Sequence, residues 1–149
     1  MSLYTIVSFL PAHLRALRDA HQEILLRMPP AHPAETDPTQ TIFRQADVWA
    51  VGGISRPWPG LGIAWLLCRA APAGEEVLLG RTMVRGWPAL VTQAACRRIE
   101  TVVYAEFASA IRLVEVLGFR RDHVKLFYGP EGETFVSFAW IAPQLLKDA

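Results

Sequence analysis

The stretch Arg98–Trp140, RIETVVYAEFASAIRLVEVLGFRRDHVKLFYGPEGETFVSFAW, carries the clearest order of elements in the chain. Ile99–Ala105 is rich in β-branched and aromatic residues and reads as a strand. Ser109–Leu117 follows at helical spacing, with Ile111, Val114 and Leu117 on one face. Gly118 stands where a helix ends in the left-handed conformation that glycine adopts without a Cβ penalty. Arg121–Tyr128 reads as a second strand, Gly129-Pro130-Glu131-Gly132 as a turn, and Thr134–Ile141 as a third strand with Val136, Phe138 and Trp140 on one face.

Working outward toward the N-terminus, Leu3–Leu10 is an apolar segment ending at Pro11 and reads as a first strand. It lacks a basic flank before it and a small-residue cleavage site after it, so it does not read as a signal peptide. Leu14, Leu17, His21, Ile24, Leu25 and Met28 recur at helical spacing and predict an amphipathic helix closed by Pro29 and Pro30. A proline-rich loop occupies 29–40. Strands are expected at Thr41–Arg44, Val48–Ile54 and Ile63–Cys68, with the turn Ser55–Gly62 before the last. Gly52 and Gly53 suggest a bulge or a close approach to the backbone. Glu75–Cys96 is open to two readings: one helix kinked at Pro88, or a strand at Val77–Val84 followed by a short helix from Pro88.

The chain has 149 residues, enough for one domain spanning 1–149, and is 52% hydrophobic and 19% charged. No apolar run reaches the length of about 18 residues that crosses a bilayer, so no membrane partner is expected. The net charge of +1 argues against general nucleic-acid binding. Cys68 and Cys96 have no CxxC spacing and read as small buried thiols in a reducing compartment. His13 and His21 are eight apart rather than the four that a helical metal pair needs, and no metal is expected. Trp49, Trp65 and Trp140 read as core, whereas Trp58 lies in a proline-flanked turn suited to contact with a partner.

The order of elements, together with Ile99–Tyr104, Ala110, Leu113 and the phrase Leu117-Gly118-Phe119, resembles the GNAT (acetyltransferase-like) family. Arg98-Ile99-Glu100-Thr101 with Val103 and Phe107, and Tyr128–Gly132 followed by Phe135, look like a narrower group, the GNAT-like proteins of tailed bacteriophages. The specific match covers about a third of the chain. The resemblance implies an α/β (α+β) fold with a mixed central sheet of about six to seven strands and about three to four flanking helices. It also implies acetyl-CoA held where the central strands splay apart, between Ile63–Cys68 and Ile99–Ala105.

The family's pyrophosphate loop, Q/R-x-x-G-x-G/A, has two candidate counterparts: Arg69-Ala70-Ala71-Pro72-Ala73-Gly74 and Arg85-Gly86-Trp87-Pro88-Ala89. In each a proline, which has no N–H, replaces the first glycine. Arg69, Gly74, Arg85 and Gly86 are therefore the candidate cofactor residues. The family often has an asparagine and a tyrosine at positions that here are Phe107 and Val114, and neither can bond CoA or give a proton. Tyr104 and Tyr128, at the ends of neighbouring strands, are the candidate catalytic acids in their place. On this pattern the expectation is a GNAT scaffold with a degenerate acetyl-CoA site, acting as a non-catalytic interaction or virion-associated component with protein partners, cytoplasmic in the producing cell or carried in a phage particle. The alternative is an active N-acetyltransferase with an atypical site. A plugged cleft between the two strands would end the enzyme reading, and an open one would keep it.

Overall fold

A computed structural model describes residues 2–20 and 36–147. The elements run β1 (Tyr4–Ser8), α1 (Pro11–Ala20), β2 (Thr39–Arg44), β3 (Asp47–Trp58), β4 (Leu61–Cys68), α2 (Glu76–Ala94), β5 (Arg98–Tyr104), α3 (Ala108–Val116), β6 (Arg120–Lys125), β7 (Phe135–Ile141) and α4 (Pro143–Leu146). The expected helical residues beyond Ala20 and most of the proline-rich loop lie outside the described residues.

The strands form one seven-stranded sheet in the order β1-β2-β3-β4-β5-β7-β6. Every neighbouring pair is antiparallel except β4 and β5. That pair needs a crossover, which α2 supplies. Alternation within each strand divides the apolar residues between two faces. Leu14 and Leu17 of α1 pack on Val51, Trp65 and Leu67. On the opposite face α2 sets Leu79 against Ile42, Ala50 and Cys68, and Leu90 and Ala94 against Ile99, Val103, Val136 and Phe138.

α3 ends as its sequence predicts. Gly118 takes φ +102°, its N–H reaches the Glu115 carbonyl at 3.1 Å, and the Phe119 N–H reaches Val114 at 3.0 Å. This is a Schellman cap, which lets Phe119 turn back into the core, where it is 3% exposed.

Two expectations change and two open alternatives are decided. Glu75–Cys96 is a single helix, and Pro88 sits inside it. The buried face of this nineteen-residue helix, Leu79, Thr82, Gly86, Leu90 and Ala94, outweighs the one lost helical hydrogen bond. The turn at Ser55–Gly62 shrinks to Pro59-Gly60, because β3 continues to Trp58 and pairs it with Leu61. β6 stops at Lys125, so Leu126–Tyr128 belong to the loop before β7. Gly52 and Gly53 mark a close approach to the backbone, since a Cβ on Gly53 would run into the Pro38 carbonyl; the bulge falls beside them, where β2 pairs Ile42 with Ala50 and Phe43 with Val48, leaving Trp49 unmatched.

Candidate active-site cleft

β4 and β5 are hydrogen-bonded only at their beginnings, where Leu61, Gly62 and Ile63 pair with Arg98, Ile99 and Glu100. The Thr101 hydroxyl then donates to the Ala64 carbonyl at 3.1 Å. Beyond that link the strands part. Between them opens a cleft of about 310 Å³, walled by Leu66 and Cys68 of β4, Val103 and Tyr104 of β5, and Leu113 and Val114 of α3. The facing strand edges form no ladder with each other there. Backbone groups on such diverging edges can bond an extended amide chain laid between them. Among the described residues no large side chain plugs the opening. The wall is apolar, and burial pushes the Cys68 thiol up to about 12, so it stands there as a neutral group.

At the cleft mouth, Arg69–Gly74 bridges the end of β4 and the start of α2, the position a phosphate-binding loop requires. Gly74 adopts φ +86° to turn into the helix. Arg69 lines the cleft, but its guanidinium lies 3.7 Å from the centre of the Trp49 ring. Pro72 contributes a carbonyl rather than an N–H, and that carbonyl accepts the Glu75 N–H at 3.0 Å. The other candidate loop is not a loop. Arg85 and Gly86 lie mid-helix in α2 and do not line the cleft. Gly86 instead allows close approach of β2, whose Gln40 side chain donates to the Gly86 carbonyl at 3.0 Å.

A polar network behind the mouth was not foreseen from the sequence. The Glu75 carboxylate accepts from Arg44 through both oxygens, each at 2.9 Å, and from the Tyr4 hydroxyl at 2.8 Å. The Arg44 hydrogen bonds hold the Glu75 carboxyl below the usual carboxylate range. Burial, then the bond to Glu75, pushes the Tyr4 hydroxyl up to about 12. Three residues 31 to 71 positions apart in sequence thus anchor the first turn of α2 to β1 and β2.

Of the two candidate acids, Tyr104 lines the cleft and Tyr128 does not. The Tyr104 hydroxyl donates to Glu106 Oε2 at 2.7 Å. Tyr128 stands one ring away: its ring centre is 5.3 Å from that of Phe135, which in turn is 5.8 Å from Tyr104. α3 begins at Phe107 without a side-chain cap, and Phe107 and Val114 present only hydrocarbon to the cleft. Among the described residues no cluster of His, Cys, Asp and Glu could hold a metal, and no helix is long and apolar enough to cross a membrane.

This architecture, a seven-stranded mixed sheet splayed between β4 and β5, recurs in solved structures. Ribosomal-protein-S18-alanine N-acetyltransferase from Escherichia coli superposes with a TM-score of 0.73 at 18% identity, over 93% of each chain. The fold is the GNAT acyl-CoA N-acyltransferase fold. A variant of spermidine N-acetyltransferase from Vibrio cholerae superposes with a TM-score of 0.73 at 10% identity, over 99% of each chain. Ribosomal-protein-S5-alanine acetyltransferase from Vibrio fischeri gives 0.73 at 10% identity, over 96% of this chain and 95% of its own. No protein-family model and no curated protein sequence matches the chain. The GNAT likeness therefore lives in the path of the backbone far more than in the identity of the side chains.

Proposed function

We propose that this GNAT-fold protein binds an acyl thioester in the β4–β5 cleft and transfers the acyl group to an amine. The observation that supports this most is the divergence of the two strands beyond Ile63 and Glu100, mostly apolar-walled and open among the described residues. The residues fit the pantetheine part of acetyl-CoA: Leu66, Cys68, Val103 and Leu113 would enclose it, and the strand edges would bond its amides. The fit to the pyrophosphate is weaker, since only the first amides of α2 and Arg69 remain at the mouth.

When bound, the thioester supplies an activated acyl carbon. The amine nitrogen bonds to that carbon, the carbon–sulfur bond breaks, one proton leaves the nitrogen and one goes to the departing sulfur. Of the two candidate tyrosines, Tyr104 lines the cleft and would give that last proton, with Glu106 holding its hydroxyl in place.

Calorimetry with acetyl-CoA tests the reading. Binding at micromolar affinity that Leu113→Trp abolishes is the expected result; no heat at millimolar acetyl-CoA sinks it. A second reading, a non-catalytic scaffold, is favoured by Val114 and Phe107 standing where the family places proton-bearing and hydrogen-bonding groups. The phage-type phrases in Arg98–Phe107 and Tyr128–Phe135 extend that reading to a virion-associated component with protein partners. Thiol release above background, with any of a panel of primary amines, decides against it.

A further inference from the structure

The outward face of α2 carries a strip that the fold leaves unused. At the helix start Val77 and Leu78 are 63% and 46% exposed. One and two turns further on, Arg81 and Arg85 face solvent on the same side as Val77. Neither arginine lines the cleft, and neither is paired with an acidic side chain among the described residues. Among the described residues, Arg85 reaches the Thr82 hydroxyl, at 3.4 Å. Apolar residues at a helix start, continued by two unpaired arginines, make a surface complementary to an acidic amphipathic helix.

The strip begins where the cleft mouth is least suited to free CoA. Pro72 withholds one N–H, and its carbonyl occupies that of Glu75. The Glu76 carboxylate stands on the cleft wall in the first turn of α2. A pyrophosphate placed here loses a donor and meets a like charge. An arm ending in one phosphodiester carries less charge and fewer oxygens to satisfy, while its pantetheine portion is the same.

We propose that the acyl donor arrives on a protein: an acidic carrier domain lies along Val77, Leu78, Arg81 and Arg85 and passes its acylated phosphopantetheine arm into the cleft. This rests on the acyl-transfer reading above and names its donor. The probes are a bacterial acyl carrier protein with an acetylated arm, the same protein without the arm, and acetyl-CoA.

The acetylated carrier is expected to bind at least about tenfold more tightly than acetyl-CoA, and removing the arm is expected to weaken it. Joint substitution Arg81→Glu and Arg85→Glu is expected to weaken the carrier by about tenfold or more and leave acetyl-CoA within about twofold. Carrier affinity should also fall with added salt in the parent protein and much less in the charge-reversed one. Acetyl-CoA bound as tightly as the carrier overturns the docking proposal, as does equal weakening of both ligands, and either result leaves the acyl-transfer reading standing. Binding of neither ligand overturns both. Circular dichroism of the doubly substituted protein, whose changed side chains are exposed, checks that it is folded.

Discussion

Arg44 and Glu75 meet through two parallel hydrogen bonds, Nε to Oε1 and Nη2 to Oε2, each 2.9 Å long. The pair fastens β2 to the residue just before α2, and Tyr4 adds a third bond from β1. Both side chains are partly exposed, so the ion pair is screened and its worth lies mainly in geometry. Removing either partner leaves the other without its bonds. Glu75→Gln and Arg44→Met are each expected to lower the urea midpoint, and the double variant is expected to lower it by clearly less than the sum. Urea unfolding of the four proteins measures the coupling, and strict additivity would show that the network contributes nothing as a unit.

The same network sets the pH range of stability. Glu75 titrates lower in the folded protein than its ordinary 4.5, so its contribution is present above that value and is lost as pH falls through the folded value. Tyr4 is raised from 10.0 to about 12, so its contribution is present below 10 and is lost as pH rises through that interval. Stability should therefore decline at both ends. Tyr4→Phe should flatten the alkaline decline between pH 10 and 12 while keeping the acid one. An alkaline limb unchanged by Tyr4→Phe would assign it to other groups.

The second half of the fold was legible because its signals are local. Gly118 caps a helix whose apolar spacing is regular, β5 buries Ile99 and Val103, and β7 is an apolar run buried over Phe135–Phe138. The single helix at Glu76–Ala94 was not decided by its sequence, since Gly80, Gly86 and Pro88 weigh against helix and only contacts with distant strands override them. Arg69–Gly74 could be placed by its motif but not separated from Arg85–Ala89 until α2 was seen to swallow the latter. The Tyr4–Arg44–Glu75 network has no sequence signature, because its members are brought together by the pairing of β1 with β2 and by the packing of α2. Tyr104 and Tyr128 looked equivalent as strand-end tyrosines. Tyr104 ends β5 opposite Phe135, whereas β6 stops at Lys125 and leaves Tyr128 in the loop with its ring against Phe135.

Cys68 lies on the cleft wall and is 7% exposed, and its thiol donates to the Arg69 carbonyl at 3.0 Å. Its shift from 9.0 to about 12 lowers the thiolate fraction at pH 8 by about a thousandfold. The folded protein should thus resist iodoacetamide at pH 8, and both cysteines should label rapidly once it is unfolded in urea. Fast labelling of Cys68 in the native state, located by peptide mass mapping, would contradict a buried, neutral thiol.

Tyr104 and Tyr128 supply the comparison that separates a proton donor from a packing ring. Phenylalanine keeps the ring of either residue and its contact with Phe135, so the stability cost of each substitution should be small. Of the two tyrosines, only Tyr104 lines the cleft. If its hydroxyl protonates the departing sulfur, Tyr104→Phe should lower kcat by about 100-fold with KM nearly unchanged, the pattern of an interaction made only in the transition state. Tyr128→Phe should leave both constants within about twofold. Glu106→Gln keeps an acceptor for the Tyr104 hydroxyl but removes the charge, so its effect should be intermediate and should shift the pH profile of kcat. Thiol release followed with an amine acceptor across pH 6 to 10 reads all three variants. A Tyr104→Phe protein with parental kcat removes Tyr104 from the chemistry, and equal losses in the two tyrosine variants would assign the effect to the aromatic stack rather than to a proton.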